Sequence, residues 1–436
     1  MTGPVETVDI LGPAHGGTSV ARLDGQVVFV RGALPGEKGV PVRLDAAPEG
    51  QRFLTAAVGD VSAIGEASVH RVEARCPAAA AGAGCCDLDF VDPEGSLAYK
   101  TRVVVEQFRR IGHLDLDSLL GDGGVETRSP EPFAGYRTRA RLGVDADGRA
   151  GLRERGGTAI IPLQGLPGPC AQWDPALADG LVDDLAGWSL TPGAEVCVAV
   201  GDDGVRSVVE VPAQPRQRRR RHRTAPRSRA RDHSPAGRRV LGGSGEVVRT
   251  VAGVSWRVPA ESFWQAHRGA ADLYSAWVTG NSPSDGGTAW DLYGGAGVFA
   301  AALTQADPGI SVDCVDIASP ATAAGEAALR GRDVRFVTGD VAGSVRSLRG
   351  AAPGSTPPSV VVLDPPRTGA GQKVVDAVAD RAPASVLHVG CDPATAARDA
   401  AAFVRHGYTP DSVTVVDAFG LTHHVEVLVR YVRRPG

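Results

Sequence analysis

The sequence has no apolar run near the ~18 residues that a membrane-spanning helix needs, so no membrane partner is expected. Its opening residues, MTGPVETVDILGPAHGG, carry neither the basic nor the apolar stretch of a secretory signal. Lysine is nearly absent: Lys38, Lys100 and Lys373 are the only three, and arginine supplies almost all positive charge. With the abundance of Ala and Gly, this reads as a GC-rich coding bias more than a function. Seven cysteines without a single CxxC argue against a disulfide framework and for reduced thiols in the cytoplasm. The lack of GxGxxG and of a Walker lysine speaks against a phosphate cradle. A net charge of −4 gives no global pull toward nucleic acid.

What is present is long enough, at 436 residues, for two or three cores. Residues 1–65 carry short valine-rich runs between Gly and Pro turns, with Gln26–Arg31 (QVVFVR) the clearest strand; an OB-like β-barrel is expected. Residues 66–260 form a mixed α+β central segment. It opens with a cysteine loop holding Cys76, Cys85 and Cys86, and Cys170 follows later. Cys76, Cys86 and Cys170 are candidate ligands of an iron–sulfur or zinc site, which the adjacency of Cys85 and Cys86 speaks against. A helix is predicted from Pro93 to Gly112 and a hairpin turning at Asp147-Gly148. Arg137, Arg139 and Arg141 share one strand face, either simply solvated or set to meet RNA phosphates. The run at 214–239 is basic and nearly devoid of apolar residues, so a disordered loop adding salt-sensitive RNA affinity is expected.

Residues 261–436 begin with PAESFWQAH leading into a helix at 266–279, then alternate strand, turn and helix. The expected architecture is a doubly wound, Rossmann-like α/β domain closed by a strand pair, with Ser319 as a helix N-cap. AWDLYGGAGVF places Tyr293 and Gly294 at the first strand end, where a backbone can approach a ligand; the pattern suits S-adenosylmethionine. Asp316 at the second strand end is placed for ribose hydroxyls and Asp340 after the third for adenine; either acid alone could be a plain helix cap. Asp364-Pro365-Pro366 ends the fourth strand, as in methyltransferases that hold a planar base, but Arg367 replaces the aromatic expected for an exocyclic amine target.

The fifth strand, SVLHVGCDP, ends on Cys391. Carbon 5 of a pyrimidine is a poor nucleophile until a thiolate adds to carbon 6, so Cys391 fits a carbon-5 methyl transfer. The proton on carbon 5 then needs a base, for which Glu426 in HHVEVLV is the choice, with His423 and His424 as alternatives. Gln265 is placed to bind cofactor or base through its amide. An RNA-binding protein with a decayed site, and DNA cytosine methylation, are competing readings. The second lacks a suitably placed Pro-Cys loop.

The ILG-x3-GG-x3-ARLDG-x-VVFV-x-GALPGE run resembles the RNA-binding TRAM domain. From there nearly to the end, through YRTRA, FWQAH, DLYGGAG, LDPPRTG, GCDPATAARD and HHVEVLV, the chain resembles the RNA 5-methyluridine methyltransferases acting on tRNA and 23S rRNA. The resemblance implies Cys391 as nucleophile, Glu426 as base, and cofactor contacts at Gln265, Tyr293, Asp316, Asp340 and Asp364. It implies a monomer acting on RNA, with the TRAM domain favouring rRNA over tRNA. The chain departs from the family at Asp392, an acid in place of Asn beside the cysteine, and at the cysteine loop, where the missing CxxC speaks against the iron–sulfur cluster.

Overall fold

Alternation decides the first sheet. In Gln26–Arg31, Val28 and Val30 are buried while their neighbours are half-exposed, the period-two signature of a strand with one covered face. Six such strands (Val5–Val8, Ile10–Ala14, Thr18–Leu23, Gln26–Arg31, Val40–Leu44 and Phe53–Val58) enclose a core of Val8, Ile10, Ala21, Val28, Val30, Val40, Val42 and Ala56. The computed structural model describes residues 4–46, 50–212, 237–284 and 286–433. A second six-stranded sheet runs in the order 160–162, 150–153, 139–144, 195–200, 206–211 and 239–242, and a hairpin of Glu246–Val251 with Val254–Pro259 follows.

The third sheet contains β1 (Gly287–Leu292), β2 (Ile310–Asp316), β3 (Val334–Thr338), β4 (Val360–Leu363), β5 (Ser385–Gly390), β6 (Tyr408–Val416) and β7 (Glu426–Arg433). Their order is β3-β2-β1-β4-β5-β7-β6, with the short strand Glu126–Arg128 added parallel at the β6 edge. The strands β1 to β5 are parallel, and β7 runs antiparallel between β5 and β6. Every residue of β4 and β5 is buried, as a sheet covered on both faces requires. Helices α1 (Ala270–Asn281), α2 (Val298–Ala306) and α3 (Ser319–Ala328) cover one face. On the other lie α4 (Gln372–Ala379), α5 (Pro393–Arg405) and the helix Pro93–Gln107, whose Val104 and neighbouring Phe108 share a core with Ala397, Ala400 and Phe403.

The doubly wound expectation therefore holds, and several local expectations change. Helix 93–107 and strand 126–128 pack into the third sheet although they precede it by over a hundred residues, so segment 66–260 is not one self-contained unit. The helix placed at 266–279 begins only at Ala270. Residues 266–269 are held as a turn because His267 stacks on Tyr136 at 4.8 Å and its Nδ1 accepts the Gly269 amide at 2.9 Å. Ala318, not Ser319, occupies the N-cap of α3, its amide held by Asp316 Oδ1 at 2.7 Å. Most of the arginine-rich run at 214–239 lies outside the described residues. Its end is ordered: Arg238 pairs with Glu261 at 2.6 Å and Arg239 opens a strand.

One buried ion pair ties the central segment to the catalytic sheet. Lys100 on helix 93–107 is bonded to the Asp417 carboxylate, and both side chains are fully enclosed. Ser96 Oγ donates to the other Asp417 oxygen at 2.6 Å, and Lys100 Nζ also donates to the Phe419 carbonyl at 3.1 Å. Removing one partner strands the other charge in a dry core. Lys100→Met is expected to destabilise the protein by about 3–5 kcal/mol in urea unfolding, and Lys100→Met/Asp417→Asn to recover more than half of that.

Candidate active site

The site is assembled at the C-terminal ends of β1, β4 and β5 and at the N-terminal end of the antiparallel β7. After β1 the chain turns sharply: Tyr293 takes φ +63, and Gly295 and Gly297 take +56 and +76. Gly294 is required for space, since a Cβ there would lie 2.5 Å from Cys314 Sγ and 2.6 Å from the Asp291 carboxyl. Asp316 reaches back over this loop and accepts the Gly295 amide at 3.0 Å. Tyr293 is half-buried beside it, and burial pushes its phenol up to about 12. Asp340 caps the short helix Val341–Ser344 through the Gly343 amide at 3.0 Å.

Gln265 is half-buried in the segment joined to this loop through two indoles. Its neighbour Trp264 packs on Trp256 at 5.7 Å, and Trp256 Nε1 donates to the Ala296 carbonyl at 2.8 Å.

The loop after β4 is held from beneath. The Asp364 amide donates to the Leu292 carbonyl at 3.2 Å, tying it to the end of β1. Farther on, Asp399 of α5 is buried and accepts the amides of Ala370 at 2.6 Å and Gly371 at 3.2 Å. Cys391 follows β5 with Sγ 3.9 Å from the Pro365 carbonyl. The β5–β7 register pairs Gly390 with Val427, which levels Cys391 with Glu426 at the same sheet edge. Glu426 is buried, not solvent-facing, and its Oε2 has no hydrogen-bond partner among the described residues. Of the alternative bases, His423 is engaged by Asp87, and burial together with His423 and Arg367 pushes His424 down to about 3.

Burial is the first cause of the shift at four groups of the site. It pushes Asp291 up to about 7 and, aided by Asp291 and Asp316, Asp364 up to about 8. Burial and the nearby Asp364 hold Glu426 well above the usual carboxylate range. Burial, Glu426 and Asp364 push the Cys391 thiol up to about 12, opposed by the Arg367 guanidinium. Sequence reasoning passed over Tyr274 of α1, a buried phenol with no hydrogen-bond partner among the described residues, whose ionisation is opposed first by burial, then by Glu426 and Asp364. Nothing in its amphipathic helix distinguishes it from core.

The cysteine loop and Cys170 are brought together. Sγ atoms of Cys76, Cys85, Cys86 and Cys170 all lie within 4.8 Å of one another. The sequence shortlist omitted Cys85, yet its Sγ is 3.6 Å from Cys76, and Cys86 is 3.7 Å from Cys170. Around the first sheet, a surface groove of about 330 Å³ is lined by Val20, Val27, Phe29, Arg52, Phe53 and Arg110. Of the three strand arginines, Arg139 packs over the exposed Phe263 ring at 5.6 Å and Arg141 pairs with Glu195 at 2.8 Å.

The raised Asp291 has a consequence for stability. The unfolded chain ionises near the ordinary carboxylate value and the folded chain only near 7, so stability falls as pH rises between the two and stays low above. Asp291→Asn removes this loss. In the ligand-free protein it is expected to raise stability at pH 8 by up to about 4 kcal/mol and to change little at pH 4, read by urea unfolding at both values.

The TRAM domain matches residues 1–56. An uncharacterized RNA methyltransferase of Corynebacterium glutamicum is 41% identical over 99% of this chain and 97% of its own length. One from Streptomyces avermitilis is 34% identical over 95% of each. The solved structure of Pyrococcus abyssi tRNA (uracil-54, C5)-methyltransferase in complex with S-adenosyl-L-homocysteine shares the fold. Its TM-score is 0.68 at 18% identity, covering 98% of this chain and all of that one. With such identity to RNA methyltransferases over almost its whole length, the chain belongs to the RNA methyltransferase family that its motifs resemble.

Proposed function

We propose that the enzyme methylates carbon 5 of a uridine in RNA, with ribosomal RNA as the substrate class, through a covalent bond between Cys391 and carbon 6. The observation that carries this is the pairing of Gly390 with Val427, which sets a thiol and a buried, unpartnered carboxyl level at one sheet edge. The Cys391 thiolate adds to carbon 6 and pushes electrons to carbon 5. Once carbon 5 has used that electron pair to take the methyl group, Glu426 takes the remaining carbon-5 proton, and the pair left behind expels the Cys391 sulfur from carbon 6 to free the product. Asp364 and the Pro365-Pro366 turn hold the base beside the thiol, once it has left its stack.

S-adenosylmethionine fits the remaining residues and, when bound, supplies an electrophilic methyl group on a sulfonium. Its positive charges suit a site where burial raises Asp291, Asp364 and Glu426, with Asp291 Oδ1 unpartnered among the described residues. Asp316 is placed for the ribose, and the exposed Ile317 beside it gives the adenine an apolar surface. Tyr293, Gly294 and Gln265 would hold the methionine end, and Asp340, which caps the helix after β3, would face the adenine. The groove of Phe29 and Phe53 flanked by Arg52 and Arg110 suits stacked bases and their phosphates.

The four gathered thiols support a metal centre. Sulfurs 3.6 and 3.7 Å apart approach the spacing of a tetrahedral site with bonds of ~2.3 Å. N–H donors already face the sulfurs, from Ala79 and Ala171 to Cys76 and from Gln172 to Cys86. Such a centre would pin the loop and take no part in methyl transfer. Protein purified without oxygen is expected to carry iron with visible absorbance, or one zinc, and Cys85→Ser to lose it; absence of both metals would overturn the reading.

The reaction is tested by trapping. Wild-type enzyme with 5-fluorouridine-substituted rRNA and S-adenosylmethionine is expected to give a gel-stable adduct, because fluorine cannot leave as a proton, and Cys391→Ala none. Glu426→Gln is expected to accumulate adduct on ordinary RNA, with turnover reduced roughly 10²–10⁴-fold. An adduct on tRNA alone would move the substrate class to tRNA. No adduct and no methylation on either RNA would favour an RNA-binding protein with a decayed site.

A further inference from the structure

The turn at residues 15–17 of the first sheet reaches into the catalytic domain. Its neck is gripped by the buried Tyr99, whose Oη meets the Ala14 carbonyl at 3.1 Å and is bonded also to that of Thr18. Its far side is Gly17, at φ +77, where a Cβ would lie 3.0 Å from Asp87 Oδ2 and 3.1 Å from the His423 Cβ. Only glycine lets the turn sit this close to the Asp87–His423 pair. The turn is thereby fixed, and it presents His15 with Nε2 3.2 Å from Asp392 Oδ2.

Asp392 is the residue after Cys391. Its Oδ1 accepts the amides of Ala394 at 3.1 Å and Thr395 at 2.9 Å, which starts α5. Burial works against its ionisation, but the His15 hydrogen bond and these amides outweigh it and bring its pKa down to about 2. An anion one peptide away opposes formation of the thiolate. The groups facing Cys391 are Glu426 from β7 and Asp364 and Arg367 from the loop after β4. The charged group facing Asp392 is His15.

We propose that His15 is a positioning residue supplied by the RNA-binding domain: its hydrogen bond fixes the Asp392 carboxylate on the α5 amides and draws its charge away from the Cys391 sulfur. The TRAM unit thus takes part in setting the reactivity of the nucleophile as well as in gripping RNA. This rests on Cys391 being the nucleophile.

The test reads the thiol directly, without RNA. Alkylation of Cys391 by iodoacetamide at pH 8 is followed by peptide mass spectrometry in the full-length protein, with thermal melting to verify folding. His15→Ala is expected to slow it roughly two- to five-fold, because the thiolate fraction falls more than its nucleophilicity rises. His15→Gln, which keeps a donor, is expected to restore most of the rate. Asp392→Asn is expected to speed alkylation, and adding His15→Ala to it to change nothing further. An unchanged rate in His15→Ala, or the same slowing in the Asp392→Asn background, would overturn the proposal. Trapping the same variants on 5-fluorouridine RNA separates the two claims. Coupled alkylation rates with no wild-type adduct would sink the catalytic reading and leave the His15–Asp392 coupling standing; adduct with uncoupled rates would do the reverse.

Discussion

At the C-terminal edge of the catalytic sheet, Asp291, Asp364, Glu426 and Cys391 are packed into one space with Arg367 as the cation that opposes their shared burden on the thiol. Burial raises each; a charge on Asp291 makes Asp364 harder to ionise, and a charge on Asp364 does the same to Glu426 and Cys391. The ligand-free site is therefore held largely protonated. This constraint explains its architecture: short loops tied to strands and helices by backbone amides, and unpartnered oxygens on Asp291 and Glu426. Those oxygens are costly to bury and persist because the surrounding fold over-determines them.

The rest of the chain acts to over-determine that edge. The loop between β6 and β7, which delivers Glu426, is gripped at several points before it arrives. Asp417 is bonded to Lys100, the Leu421 carbonyl accepts the amides of Asp87 and Leu88, and the His423 amide donates to Asp87 at 2.8 Å. Each partner comes from the segment between the first sheet and the second. The cysteine cluster sits immediately before Asp87, so whatever rigidifies Cys85 and Cys86 also steadies the grip on His423. Helix 93–107 joins the same design by placing Tyr99 on the TRAM turn and Lys100 on the β6–β7 loop, one residue apart.

Contiguity decides how much of this is legible in the sequence. DLYGGAG, LDPPRTG and GCDP each combine a strand end, a turn and a chemical group in one run, so strand order and site can be read together, and Cys391, Glu426 and Asp364 do meet. Asp340 shows the limit of residue type, because the same acid serves equally as a cap. Cys85 is missed for a local reason: neighbours in sequence rarely share a ligand set, yet here the chain lets adjacent side chains meet different partners. Tyr274 is indistinguishable from core until its hydroxyl is found without a partner. His15 and Asp87 act only through contacts between remote segments, which no local pattern encodes.

Asp392 shows how one residue can serve folding and oppose chemistry. At the N-cap of α5 its carboxylate satisfies two amides and complements the positive end of the helix. The same helix end would otherwise help a neighbouring thiol to ionise, as cysteines at helix N-termini do. The capping charge therefore cancels an advantage that its position confers on Cys391. A neutral cap avoids this conflict; an anionic one needs a donor on its free oxygen. Among the described residues the donor on that oxygen comes from outside the catalytic sheet. The turn of the RNA-binding unit supplies it, and His15 at its tip meets the free oxygen while staying partly open to solvent.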